Sequence, residues 1–120
     1  MHNGFCINLT HSTDDHDRAT VALVVANAAM ASGKDTMVFL SSEGARLAAK
    51  GTAETIHEEG FQPMADLLKN FIQAGGKIWV CSPCYKKRSY TEEHLIEGAT
   101  IVGGAKLVEF LSNDAASVSY

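Results

Sequence analysis

Lys77-Ile78-Trp79-Val80-Cys81-Ser82-Pro83-Cys84-Tyr85-Lys86-Lys87-Arg88 is the stretch on which both the fold and the chemistry turn. Its first five residues form a short apolar run without strict alternation. That is the pattern of a strand buried on both faces of a parallel sheet. Three comparable runs occur: Phe5-Cys6-Ile7-Asn8-Leu9, Thr36-Met37-Val38-Phe39-Leu40 and Thr100-Ile101-Val102.

Helical patterns separate these runs. Asp14, Asp15 and Asp17 precede an apolar segment from Arg18 to Ser32, which Gly33 stops. This segment is apolar almost all round, so it must be covered on more than one side, and a partner subunit is the expected second cover. Glu43 to Lys50 reads as a short helix, capped by Ser42 and ended by Gly51. Pro63 suits the first turn of a helix that carries Met64, Leu67, Leu68, Phe71 and Ile72 at helical spacing and stops at Gly75-Gly76. Ser89-x-x-Glu92 has the form of a capping box for a helix through Glu97. A last helix is expected over Gly104 to Leu111. Strands alternating with helices predict right-handed crossovers and a three-layer α/β/α domain around a mostly parallel sheet of four to five strands. The domain is expected over residues 1–112, with the polar residues 113–120 as a frayed tail.

Length and composition agree with a single globular domain. The chain has 120 residues, 46% hydrophobic and 20% charged, too apolar for a disordered chain. A net charge of −4 argues against a general nucleic-acid binder, which needs clustered cations. The one dense basic cluster is Lys86-Lys87-Arg88. The longest apolar stretch, Val21 to Ala31, is interrupted by Asn27 and too short to span a bilayer, so no membrane association is expected. Met1 to Asn8 lacks the pattern of a secretory signal, and three cysteines make no disulfide scaffold. A reducing cytoplasm is the expected location.

Ligands of open parallel sheets bind at the carboxyl ends of the strands. The loops there are Thr10 to Asp15, Ser41 to Gly44, Cys81 to Arg88 and Gly103-Gly104. The third loop is the most informative. A free thiol ionises near ~8.5, and helix amides, neighbouring cations and a second thiol at Cys-x-x-Cys spacing all lower that value. Cys81 is therefore the expected nucleophile and Cys84 its resolving partner or a second sulfur site. The competing reading is a Cys81 that only packs as a small hydrophobe. Lys86, Lys87 and Arg88 would stabilise a sulfur anion and steer an anionic donor, or simply form a solvated face. His11 could exchange a proton with Cys81, or bond only to backbone and water. Glu43 could accept a proton, or sit as an anion at a helix start.

Other chemistries find less support. Cys81 and Cys84 have the spacing of half a zinc site, but no second pair follows, and His57 or His94 would have to complete it. His2, His16 and His57 form no constellation, and Cys6 sits inside a strand. No phosphate-loop or dinucleotide fingerprint occurs, and no cofactor is expected. Trp-x-Cys-Ser-Pro-Cys is similar to the thioredoxin motif. However, the 36 residues after Cys84 contain no proline, so the cis-proline of that fold has no counterpart.

The order of motifs along nearly the whole chain resembles the DsrE/DsrF-like family. Thr10-His11 leads to Asp14-Asp15 after the first strand, and an Ala-rich helix ends Ala31-Ser32-Gly33-Lys34. Met37-Val38-Phe39-Leu40 runs into Ser41-x-Glu43-Gly44, and Gln73-Ala74-Gly75-Gly76-Lys77 precedes the strand ending in Cys81. Glu93-x-Leu95-Ile96-x-Gly98-Ala99 introduces the last strand and helix. The resemblance implies a flavodoxin-like fold assembled as trimers or hexamers. It also implies intracellular sulfur relay through a cysteine at the end of the third strand, where Cys81 stands; Cys84 lies outside the family pattern. The expected function is thus that of a sulfur carrier or sulfurtransferase-like protein with a persulfide on Cys81, serving a sulfur-relay protein or a small sulfur anion. A thiol–disulfide protein cycling Cys81 and Cys84, or a non-catalytic subunit binding a small anion or protein, are the alternatives.

Overall fold

The structure, a computed structural model, describes residues 3–120; Met1 and His2 lie outside the described residues. Five strands form one parallel sheet: β1 (Gly4–Leu9), β2 (Asp35–Leu40), β3 (Lys77–Cys81), β4 (Ala99–Val102) and β5 (Ala116–Ser119), in the order β4-β3-β2-β1-β5. Helix α1 (His16–Ala31) joins β1 to β2, α2 (Met64–Gln73) precedes β3, the short α3 (Ser82–Lys87) follows it, and α4 (Gly104–Leu111) crosses from β4 to β5.

Alternation along the strands explains the two-sided burial. Ile7, Leu9, Val38, Leu40, Ile78 and Val80 point to one face, where α1 and α2 cover them. Cys6, Met37, Phe39 and Val102 point to the other, together with half-buried Trp79 and Cys81. There, among the described residues, α4 is the only helical cover, contributing Leu107, Phe110 and Leu111, and the edge of the Phe110 ring meets Trp79 at 5.8 Å between centroids. Helix α1 packs against β1, β2 and also α2. The flank expected to need a partner subunit is therefore partly covered by α2 of the same chain, and Val24 remains 36% exposed. Among the described residues no helix is long and apolar enough to cross a membrane.

Three local expectations are corrected. Residues 116–119 are not a frayed tail: they form β5, paired in parallel with Phe5 to Asn8 of β1. The segment after Ser42 is not an α-helix but a 3-10 helix, Ser42–Ala48. Ser89 does not cap a helix through Glu97; it has φ +67°. Instead Thr91 and His94 cap one 3-10 turn, Glu92–His94, reciprocally. The Lys50 amide bonds the His94 carbonyl at 2.7 Å and the Ile96 amide bonds the Ala48 carbonyl at 2.9 Å. That antiparallel bridge between Ala49 and Leu95 pulls both segments into extended backbone, so neither helix can continue.

Register aligns the strand ends: Leu9 opposes Leu40, Leu40 opposes Val80, and Cys81 opposes Val102. The loops that leave them share one edge, and Gly44 sets their approach. A Cβ on Gly44 would lie 2.2 Å from the Leu9 carbonyl oxygen, where rigid backbone leaves no room to yield. Gly44→Ala is therefore expected to destabilise the fold by about 1–3 kcal/mol or more. Equal urea midpoints for the variant and the parent chain would contradict this packing.

Candidate functional site

Cys81 ends β3 and Cys84 lies one turn on, in the first turn of α3. Both are half-buried, whereas Cys6 is fully buried. The two thiols are near enough to influence each other's ionisation, which raises the pKa of Cys81 and lowers that of Cys84. The backbone amide of Cys84 favours the thiolate of Cys81, and that of Ser42 favours the thiolate of Cys84. Ser42 adopts φ +51°, a left-handed conformation uncommon for serine. Such backbone costs roughly 1–2 kcal/mol, comparable to the worth of one hydrogen bond to a charged acceptor, about 1.5–3 kcal/mol.

The cations divide by function. Arg88 is anchored on two sides: Nε and Nη2 donate to Oε2 of Glu43 at 3.1 and 2.9 Å, and Nη1 donates to the Cys84 carbonyl at 3.0 Å. Glu43 also accepts from Nε of Arg46 at 2.7 Å. Hydrogen bonds from Arg46 and then Arg88 hold the Glu43 carboxyl below the usual range. Glu43 is thus an ion-paired anchor. Its pairing persists above the ordinary carboxylate range and is lost as pH falls through its depressed value. Lys87 adds positive potential at Cys84. Lys86 turns elsewhere and lines a groove of about 400 Å³ with Ser82, Tyr90 and Gly103.

Competing forces therefore split the two thiols. Burial raises the Cys84 pKa, but the Ser42 amide, the Cys81 thiol and the charges of Arg88 and Lys87 outweigh it, leaving the value below that of an ordinary thiol. Burial also raises Cys81, and its donation to Cys84 adds to the rise, leaving it above the ordinary value. Cys6, with burial alone acting, is pushed up to about 11.

His11 pairs with Asp14, Nδ1 to Oδ2 at 2.7 Å, within its own loop. The neighbouring Ser12 is buried, and its hydroxyl donates to the Glu43 carbonyl at 2.6 Å, fastening the first loop to the second. His16 starts α1, and His57 contacts the Phe61 carbonyl at 2.9 Å. Among the described residues, no three His, Cys, Asp or Glu side chains gather as a metal site. Sequence reasoning missed Ser42, Arg46 and Ser12. Gly44 was the available signal that the second loop makes a close approach; nothing marked Ser42, which stands where Gly or Asn would advertise a left-handed turn.

The fold and the paired thiols define a small parallel α/β protein with two cysteines at the carboxyl edge of its sheet. The DsrE/DsrF-like family model matches residues 3–120, and the chain belongs to that family. Membership points to sulfur relay at the level of the family. Two uncharacterized proteins of Methanocaldococcus jannaschii are similar to it. MJ0989 is 31% identical over 116 residues, covering 97% of this chain and 98% of that protein. MJ0760 is 31% identical over 108 residues, 90% of this chain, which spans 39% of that longer protein. Among solved structures, the YchN protein of E. coli superposes with a TM-score of 0.80 at 18% identity, covering 100% of both chains. MTH1491 of Methanobacterium thermoautotrophicum gives 0.75 at 14% identity, covering 98% of each. These two likenesses establish the fold, including its flavodoxin-like arrangement.

Arg88→Ala is expected to slow alkylation of the protein by iodoacetamide at pH 7 about three- to tenfold, because removing the charge raises the pKa of the reactive thiol. An unchanged pH–rate profile would show that Arg88 has no bearing on the sulfur.

Proposed function

We propose that this chain carries or transfers sulfane sulfur through the Cys81–Cys84 pair, as a cysteine persulfide formed from a small anionic donor or handed over by a relay protein. The observation that supports it most directly is the placement of two free, half-buried cysteines where β3 passes into α3, with Arg88 and Lys87 supplying positive potential. A thiolate is the form that attacks sulfane sulfur, and cations favour both the thiolate and the persulfide anion that replaces it. Sulfurtransferase-like turnover needs only a thiol acceptor for that sulfur. A reducing cytoplasm suits the chemistry, since an oxidising compartment would close the pair.

The same placement of the two cysteines also favours a second reading, in which the pair cycles through an internal disulfide. Assembly into a homo-oligomer, a trimer or hexamer, belongs to the proposal as well. The α4 face supports it: one eight-residue helix covers that side of the sheet, and Val108 on it is 63% exposed.

Intact mass of the reduced protein after exposure to thiosulfate distinguishes the chemistries. A gain of about 32 Da, absent from the Cys81→Ser/Cys84→Ser double variant, is the expected result; a loss of about 2 Da under mild oxidant alone supports the disulfide cycle instead. No change of either kind overturns both. Light scattering at micromolar concentration is expected to give a mass above that of one chain, and a monomer would refute the assembly.

A further inference from the structure

We propose that the chain carries a second site, separate from the cysteines, that binds a tetrahedral oxyanion of the sulfate or phosphate type in the cavity between Arg46, Lys50 and Tyr90. The site goes beyond the sulfur-transfer reading and does not depend on it.

The cavity measures about 490 Å³ and is bordered by the loop after β1, the 3-10 segment Ser42–Ala48 and the turn that follows it. Thr13, Arg46, Lys50, Thr52 and Tyr90 line it, and no carboxylate does. The nearby acids Glu54 and Glu92 line other cavities. Tyr90 also borders the groove of Lys86, so it forms a wall between the two.

Hydrogen donors are left over on this lining. Arg46 gives Nε to Glu43 at 2.7 Å and Nη1 to the Tyr90 hydroxyl at 3.4 Å, and its Nη2 has no partner among the described residues. The Tyr90 oxygen accepts in that bond, so its own hydrogen remains available. Lys50 gives one of its three ammonium hydrogens to the Glu93 carbonyl at 3.2 Å and makes no ion pair among the described residues. Only the Thr55 hydroxyl is already spent, on the Thr52 carbonyl at 2.7 Å.

Charge points the same way. Glu43 is shared by Arg46 and Arg88, so one carboxylate meets two guanidinium groups, and Lys50 adds a third cation. In a chain of net charge −4 this is a local positive excess, and a doubly charged anion is the species it attracts. The backbone that carries the cations is already fixed. The Ala49 amide bonds the Arg46 carbonyl at 3.0 Å, the Lys50 amide bonds the His94 carbonyl at 2.7 Å, and the Thr52 amide bonds the Ala49 carbonyl at 3.3 Å. Gly51, at φ +92°, turns the chain between Lys50 and Thr52. Binding therefore orders little that is not ordered already.

The test is a titration of the full chain with inorganic sulfate, and separately with phosphate, followed by amide NMR shifts at constant ionic strength set with chloride. Saturable shifts at Thr13, Gly51 and Thr52 by about 10 mM anion are expected. Shifts centred on Lys86 and Gly103, or spread alike over Lys34, Lys69 and Lys106, overturn the assignment, as does a failure to saturate. Lys50 is exposed, so Lys50→Gln is expected to keep the parent urea midpoint and weaken binding about tenfold, while Lys50→Arg stays within about twofold. Equal affinity for Lys50→Gln and the parent refutes the site. The Cys81→Ser/Cys84→Ser double variant is expected to bind sulfate as the parent does, and loss of binding there would refute the separation from the cysteines. Sulfate binding without any sulfur gain from thiosulfate would fail the sulfur-transfer reading and leave this site standing.

Discussion

The close passage of Gly44 against the carbonyl of Leu9 is the constraint on which this edge of the sheet depends. No side chain fits between them, so the loop after β2 is drawn tightly over the end of β1. Ser12 then secures it through the Glu43 carbonyl. With the loop fixed, Ser42 turns its amide toward α3 and Glu43 presents its carboxylate to Arg46 and Arg88. Without this approach, the thiols would sit at a strand end with only their own helix for company.

The site is a balance in which burial loses at one sulfur and wins at the other. Desolvation disfavours ionisation of both cysteines. Cys84 receives the Ser42 amide and the charges of Arg88 and Lys87 in return, whereas Cys81 receives the Cys84 amide and the charge of Arg88, which do not offset its burial and its neighbour. The two thiols are therefore not equivalent. Glu43 lowers the net charge near the sulfurs, yet it is what holds Arg88 in place, and an unanchored arginine would trade that position for solvent. A fixed charge of this kind is preorganised and needs no rearrangement when a sulfur anion forms.

Much of this architecture is legible along the chain, for reasons that can be assigned. Strands β1 to β4 are buried between layers, and burial writes itself as apolar runs such as Lys77 to Cys81. Strand β5 escaped because it is an edge: Ala116, Ser117 and Ser119 are exposed and polar or small, the composition of a tail. The helices expected over Glu43 to Lys50 and from a Ser89 cap through Glu97 were locally reasonable, but the bridge of Ala49 to Leu95 overrode them, and a pairing so distant leaves no local signal. The Cys-x-x-Cys unit and the cations announced the site. The difference between the two thiols was not legible, because it depends on the Ser42 amide and on burial, both supplied by tertiary packing.

The central claim is that one of three thiols ionises more readily than an ordinary thiol while the others ionise less readily. Thiolate absorbance near 240 nm, followed across a pH titration of the reduced native protein, reads this directly. The expected curve has one cysteine ionising below the ordinary thiol range, one above it, and Cys6 at about 11. A curve with no ionisation below the ordinary range would contradict the claim.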